Sequence, residues 1–123
     1  MARLWLVDDD STCLYMLSEV LRPMGHELTL LSDGAALFER LRDPNEAVPD
    51  LILTDVMMPG CDGYTLQQKL RGDSRWRAIP VIVMTAKSSL RESFSLESGV
   101  VAFLDKPVDF DLLRAAVTKA LCD

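Results

Sequence analysis

Five short apolar runs constrain this chain more than any other feature. Leu4–Val7 stops abruptly at Asp8-Asp9-Asp10, and Leu28–Leu31 is broken only by Thr29. Leu51–Leu53 leads through Thr54 into Asp55, Val81–Met84 leads into Thr85, and Val100–Leu104 ends at Asp105-Lys106-Pro107. Runs of this length, apolar on both faces, suit buried parallel strands better than half-exposed antiparallel ones.

Helix-period segments lie between them. Ser11 or Thr12 can cap a helix whose apolar face is Leu14, Leu17, Val20 and Leu21, ending near Pro23 and Gly25. Asp33-Gly34 opens a second, with Ala36, Leu37, Phe38 and Leu41 inward. A third carries Tyr64, Leu66, Gln67 and Leu70 and stops at Gly72; a fourth, polar and Ser-rich, lies around Leu90–Glu97 before Gly99. The last runs from Asp109 to about Leu121, with Leu112, Leu113, Ala116, Val117 and Ala120 on one stripe. Strand–helix repetition of this kind demands right-handed crossovers, and so a three-layer α/β domain: a doubly wound, five-stranded parallel sheet covered on both faces.

With 123 residues, 49% of them apolar and 26% charged, the chain fits one domain spanning 1–123, and disorder is excluded. No apolar run approaches the ~20 residues of a membrane helix, and a start that runs into three aspartates is no secretory signal. Thirteen basic against 19 acidic residues leave a net charge of −6, which argues against direct nucleic-acid binding. Cys13, Cys61 and Cys122 are odd in number and far apart, so a disulfide framework or zinc cluster is not expected and a reducing cytoplasm is.

In open parallel sheets the functional crevice lies beyond the carboxyl ends of the strands. Those ends carry Asp8, Asp9 and Asp10, then Asp55, Thr85 and Lys106. Each has an ordinary reading alone: an acidic helix cap for the aspartates, a turn for Asp55, a cap for Thr85, a solvated ammonium for Lys106. Together they suggest a cation site. Clustered carboxylates repel unless a cation joins them, and Mg²⁺ prefers hard oxygen ligands plus a phosphate. One carboxylate could then attack phosphorus and form an aspartyl phosphate, with metal, ammonium and hydroxyl holding the phosphoryl oxygens. His26, the single histidine, starts the second strand and is remote from that crevice; Met16, Met24, Phe38 and Phe94 read as packing residues, and Trp76 as a loop plug or an exposed contact residue.

Leu6-Val7-Asp8-Asp9, Asp55-Val56-Met57-Met58-Pro59-Gly60-Cys61-Asp62-Gly63, Val83-Met84-Thr85-Ala86 and Asp105-Lys106-Pro107, in that order, resemble the receiver domain of two-component response regulators, the CheY-like fold. The resemblance spans essentially the whole chain and implies the strand order 2-1-3-4-5. It implies that Asp55 accepts a phosphoryl group from a phosphohistidine on a sensor histidine kinase or histidine phosphotransfer protein. The chain would then be a signalling domain that assists its own phosphorylation and dephosphorylation rather than an enzyme. Mg²⁺, or Mn²⁺, would be held by Asp9 directly, by Asp8 mostly through water, by Asp55 and by the Met57 carbonyl. Thr85 and Phe103 would be the switch pair, Lys106 would pair with the acyl phosphate, and the Lys106–Pro107 peptide would be cis. Met57 and Lys87 flank the path of the hydrolytic water, Met57 crowding it and Lys87 either adding a cation or pointing to solvent. The output surface would be the fourth helix, fifth strand and fifth helix, where Arg91, Glu92, Arg114 and Lys119 are mixed in sign. The product would be a cytoplasmic monomer or a phosphorylation-dependent dimer that contacts neither nucleic acid nor membrane.

Two alternatives stand beside this. Asp8-Asp9-Asp10-Ser11-Thr12 also fits the D-x-D-x-T pattern of haloacid-dehalogenase-type phosphatases, with Asp8 as nucleophile and Asp10 as general acid. The other is a receiver-fold binding module that signals without phosphorylation.

Overall fold

β1 (Arg3–Val7) is buried at four successive positions, and β3 (Leu51–Asp55) is buried throughout, so neither has a solvent face. The computed structural model describes residues 2–55, 63–85 and 100–122. With β2 (Glu27–Leu31), β4 (Val81–Thr85) and β5 (Val100–Asp105), these strands form one parallel sheet in the order β2-β1-β3-β4-β5. The outer strands differ from the reading of every run as buried on both sides. Leu30 on β2 is 42% exposed and Val101 on β5 is 51% exposed, because an edge strand has a neighbour on only one side.

Alternation of side chains divides the core in two. Leu4, Leu6, Leu51, Leu53, Ile82, Met84 and Leu104 pack under α1 (Ser11–Leu21) and the C-terminal helix (Phe110–Cys122), through Leu14, Leu17, Leu21, Leu113 and Val117. Trp5, Val7, Ile52, Val81 and Val83 pack on the other face against Leu37, Phe38 and Leu41 of α2 (Gly34–Arg42) and Leu66 and Leu70 of α3 (Gly63–Arg71).

Local chemistry sets the helix ends. Asp10, and not Ser11 or Thr12, caps α1, in keeping with the acidic-cap reading of the aspartates: its side chain accepts from the Thr12 and Cys13 N–H groups, and its extended backbone puts the cap one or two residues earlier than those expected. A single 3₁₀ turn, Arg22–Met24, follows, and Gly25 closes it at φ 88°, a left-handed conformation that favours glycine. Asp33 caps α2 through the Ala36 N–H, and the Gly72 N–H closes α3 on the Gln68 carbonyl. Two inward assignments are corrected. Leu112 is 60% exposed and Met16 47% exposed, since the buried stripe of the C-terminal helix centres on Leu113 and Val117 and that of α1 on Leu14, Leu17 and Leu21. The expected helix around 90–97, with Phe94, lies outside the described residues.

Trp76 plugs the loop after α3. It is buried, its ring lies 6.0 Å from that of Phe38, and the Arg75 guanidinium sits 4.7 Å over it. Lys69 covers the Phe38 ring at 5.0 Å, and the Arg71 guanidinium donates to the carbonyls of Arg77 and Ile79, tying the loop back to its helix.

Candidate functional site

Register brings the acidic residues together. Val7 lies opposite Thr54 across β1 and β3, so the next residue on each strand, Asp8 and Asp55, leaves the sheet side by side at roughly one interstrand spacing of ~4.8 Å. Both share the parity of Leu6 and Leu53 and so emerge on the face covered by α1 and the C-terminal helix. Lys106 follows β5, two strands from β3. Its long side chain reaches back across the end of β4, and its Nζ lies 2.8 Å from Asp8 Oδ2 and 3.0 Å from Asp55 Oδ2. The Lys106–Pro107 peptide is cis.

Asp8 is fully buried, Asp55 nearly so, and Asp9 exposed. Burial by itself would push the Asp8 carboxyl up; hydrogen bonds from Lys106, the Asp10 N–H at 2.9 Å and the Cys13 thiol outweigh it and hold the group below its ordinary value. Asp9 moves the other way. Desolvation and the neighbouring Asp8 and Asp55 carboxylates raise it. Burial opposes the charge on Lys106, but its bonds to Asp8 and Asp55 raise it above the usual lysine range. The Cys13 thiol is pushed up to about 12, by burial first and then by the Asp8 carboxylate, so it stays protonated and acts as a donor.

One carboxylate oxygen from each of Asp8, Asp9 and Asp55 falls within 4.8 Å of the others. Three carboxylates facing one ammonium leave the cluster two charges short of neutrality, and the donors are all hard oxygens. That set fits a small divalent cation such as Mg²⁺ or Mn²⁺ and is a poor match for soft metals.

A family model described as the response regulator receiver domain matches residues 4–118. The chain belongs to that family. It is 41% identical over 118 residues to response regulator PleD of Caulobacter vibrioides, covering 94% of this chain and 25% of that protein. It is 33% identical over 125 residues to protein PilH of Pseudomonas aeruginosa, covering 98% of both chains. Among solved structures, a putative response regulator from Chloroflexus aurantiacus superposes with a TM-score of 0.89 at 30% identity, covering 99% of this chain and 98% of that one. The receiver domain spans about a quarter of the length of the first curated relatives it matches, PleD and NtrC of Escherichia coli among them. It is a signalling domain of two-component systems, built on the CheY-like fold. No helix among the described residues is long and apolar enough to cross a membrane.

The remaining expected site residues fall as follows. Thr85 ends β4 opposite Asp105 of β5, and its side chain lies outside the described residues. Phe103, on the opposite parity to Leu104, is partly buried against the core shared by Trp5 and Val83. Met57 and Lys87 lie outside the described residues. His26 stays remote, at the far end of β2, where its Nδ1 accepts from the Ala2 N–H at 3.3 Å. Two features escaped the sequence. The Asp8–Lys106 pair did, because nothing in a linear pattern says which of several carboxylates an ammonium will choose. The place of Cys13 beside Asp8 did too, although its position in the first turn of α1 was a usable signal.

Proposed function

We propose that this receiver domain, occupying 1–123, takes a phosphoryl group on Asp55 from a phosphohistidine of a sensor histidine kinase or histidine phosphotransfer protein. The observation that carries the reading is Lys106 Nζ held at 3.0 Å from Asp55 while the fully buried Asp8 takes its other side at 2.8 Å. That ammonium supplies a fixed positive charge where a phosphoryl oxygen on Asp55 would sit. An Asp55 carboxylate oxygen forms the new bond to phosphorus as the phosphorus–nitrogen bond breaks. The electron pair stays with the imidazole, which takes its proton from solvent. Asp9 and Asp8, the Asp55 carboxylate and the Met57 carbonyl are the groups that would hold Mg²⁺ or Mn²⁺. When bound, the metal neutralises the phosphoryl oxygens and relieves the repulsion that raises Asp9.

Asp55 so modified draws Thr85 and Phe103 inward and shifts the population toward an arrangement read by a downstream protein through the segment around 90–97, β5 and the C-terminal helix. Met57 and Lys87 tune how fast water removes the phosphoryl group, with Met57 crowding the approach. The domain assists its own phosphorylation and dephosphorylation, works in the cytoplasm as a monomer or a phosphorylation-dependent dimer, and contacts neither nucleic acid nor membrane. The phosphatase reading is disfavoured by the same geometry. Asp8, its nucleophile, is fully buried and bonded to Lys106 and the Asp10 N–H, and Asp10, its general acid, is bonded to the Thr12 and Cys13 N–H groups.

The test is incubation with acetyl phosphate and Mg²⁺, followed by intact-mass measurement. Wild type gains one phosphoryl group and Asp55→Asn none. Labelling that survives Asp55→Asn but is lost in Asp8→Asn would transfer the acceptor role to Asp8. No labelling of wild type, and no spectral change with Mg²⁺ and a phosphate mimic, would favour the phosphorylation-independent module.

A further inference from the structure

Thr54 is fully buried on β3, with Val7 beside it on β1 and Val83 beside it on β4. It shares the parity of Ile52, whose side chain packs in the apolar core with Trp5, Val7 and Val83. Val, isosteric with Thr and without a hydroxyl to desolvate, is the less costly occupant of such a place. The hydroxyl has one described partner: Thr54 Oγ1 donates to the main-chain carbonyl of Asp55 at 3.0 Å. That carbonyl belongs to the last residue of the strand, the same Asp55 whose carboxylate meets Lys106 at 3.0 Å and lies within 4.8 Å of Asp8 and Asp9.

We propose that Thr54 is a positioning residue for the site: by holding the Asp55 carbonyl, its hydroxyl fixes the backbone of Asp55 and so the direction in which the carboxylate enters the cation cluster. The inference rests on the reading of Asp55 as phosphoacceptor and metal ligand. Its physical basis is that Asp55, paired with Met84 of β4, lies one position beyond the last β1 pairing, Val7 with Thr54. A neighbouring side chain that bonds its carbonyl adds a restraint on its peptide plane, and partners one bond removed from a metal ligand set its orientation.

The experiment compares wild type, Thr54→Val and Thr54→Ser. Urea unfolding of the metal-free proteins reports packing, Mg²⁺ titration by calorimetry reports the cation site, and acetyl phosphate labelling across Mg²⁺ concentrations reports the chemistry. Thr54→Val is expected to unfold at wild-type urea concentration or higher, to bind Mg²⁺ roughly tenfold more weakly, and to need correspondingly more Mg²⁺ for half-maximal labelling, with little change in rate at saturation. Thr54→Ser, which keeps the hydroxyl, is expected to restore Mg²⁺ affinity despite the lost methyl. Wild-type Mg²⁺ affinity in Thr54→Val overturns the proposal, as does a Thr54→Ser protein as weak as Thr54→Val. Failure of the wild type itself to be labelled overturns the phosphoacceptor reading instead.

Discussion

Asp8 and Lys106, 98 positions apart in the chain, meet at 2.8 Å with the carboxylate entirely withdrawn from water. A buried carboxylate of this kind persists only because its partners travel with it, and here they are the ammonium, the Asp10 N–H and the Cys13 thiol. Removing the ammonium leaves the charge behind. Lys106→Met is therefore expected to destabilise the metal-free protein by about 3–5 kcal/mol, and Asp8→Asn in the same background to recover much of the loss. Urea unfolding of the four members of the cycle measures both.

The same pair sets the acid response. Asp8 has a folded-state pKa below its unfolded value, so its contribution to stability is complete above that unfolded value and is lost as pH falls through the depressed one. Asp73, lowered to about 2 by its hydrogen bonds to Arg75, acts in the same direction from the surface. Asp9 is raised, so its ionisation works against the fold as pH rises through its folded-state value. Thermal unfolding between pH 2 and 6 is expected to show a steep acid loss in Asp73→Asn that flattens when Asp8→Asn is added.

Divalent cation should reverse the sign of the Asp9 effect. Without metal, Asp9→Asn relieves repulsion from Asp8 and Asp55 and is expected to raise the melting temperature. Mg²⁺ at a hundred times its dissociation constant is expected to stabilise wild type by about 2.7 kcal/mol, and Asp9→Asn should gain far less at the same concentration. Melting curves with and without Mg²⁺ check this, and an equal gain in both proteins would remove Asp9 from the metal site.

Trp76 offers a test far from the chemistry. It is 6% exposed, with the Arg75 guanidinium over its ring and the Phe38 ring tilted against it, so Trp76→Ala opens a cavity under the loop after α3 and is expected to cost about 3–5 kcal/mol, with Trp76→Phe costing less. Acetyl phosphate labelling of Trp76→Phe should keep the wild-type rate, since the ring partner of the plug, Phe38, lies on α2 and not in the acidic cluster.

A smaller effect is expected at the start of α1. Asp10 caps two N–H groups, and Asp10→Ala should cost about 1 kcal/mol in urea unfolding. Its outcome also separates a structural aspartate from the proposed ligands beside it: Mg²⁺ affinity should change little.

The acidic cluster was legible in the chain because apolar runs that end on Asp8 and Asp55 can end only at the same edge of a parallel sheet. Asp10 was less legible. Asp8, Asp9 and Asp10 are three identical residues in a row, and their separation into a buried counterion, an exposed carboxylate and a helix cap depends on the parity of β1 and the entry angle of α1. Leu112 and Leu113 present the same difficulty: both are apolar, and only the packing of the C-terminal helix on the sheet decides that one is buried and its neighbour exposed.

The order of apolar runs and breakers along the polymer thus determined the alternation of strands and helices, and with it the edge where the polar residues gather. Local periodicity is enough for that, since it depends on neighbours within a few residues. Tertiary structure alone decided that Lys106 bridges Asp8 and Asp55, that Thr54 bonds the carbonyl after it, and that the outer strands lie half open to water. Each of these depends on register between strands distant in sequence, where a shift of one residue turns every side chain to the opposite face.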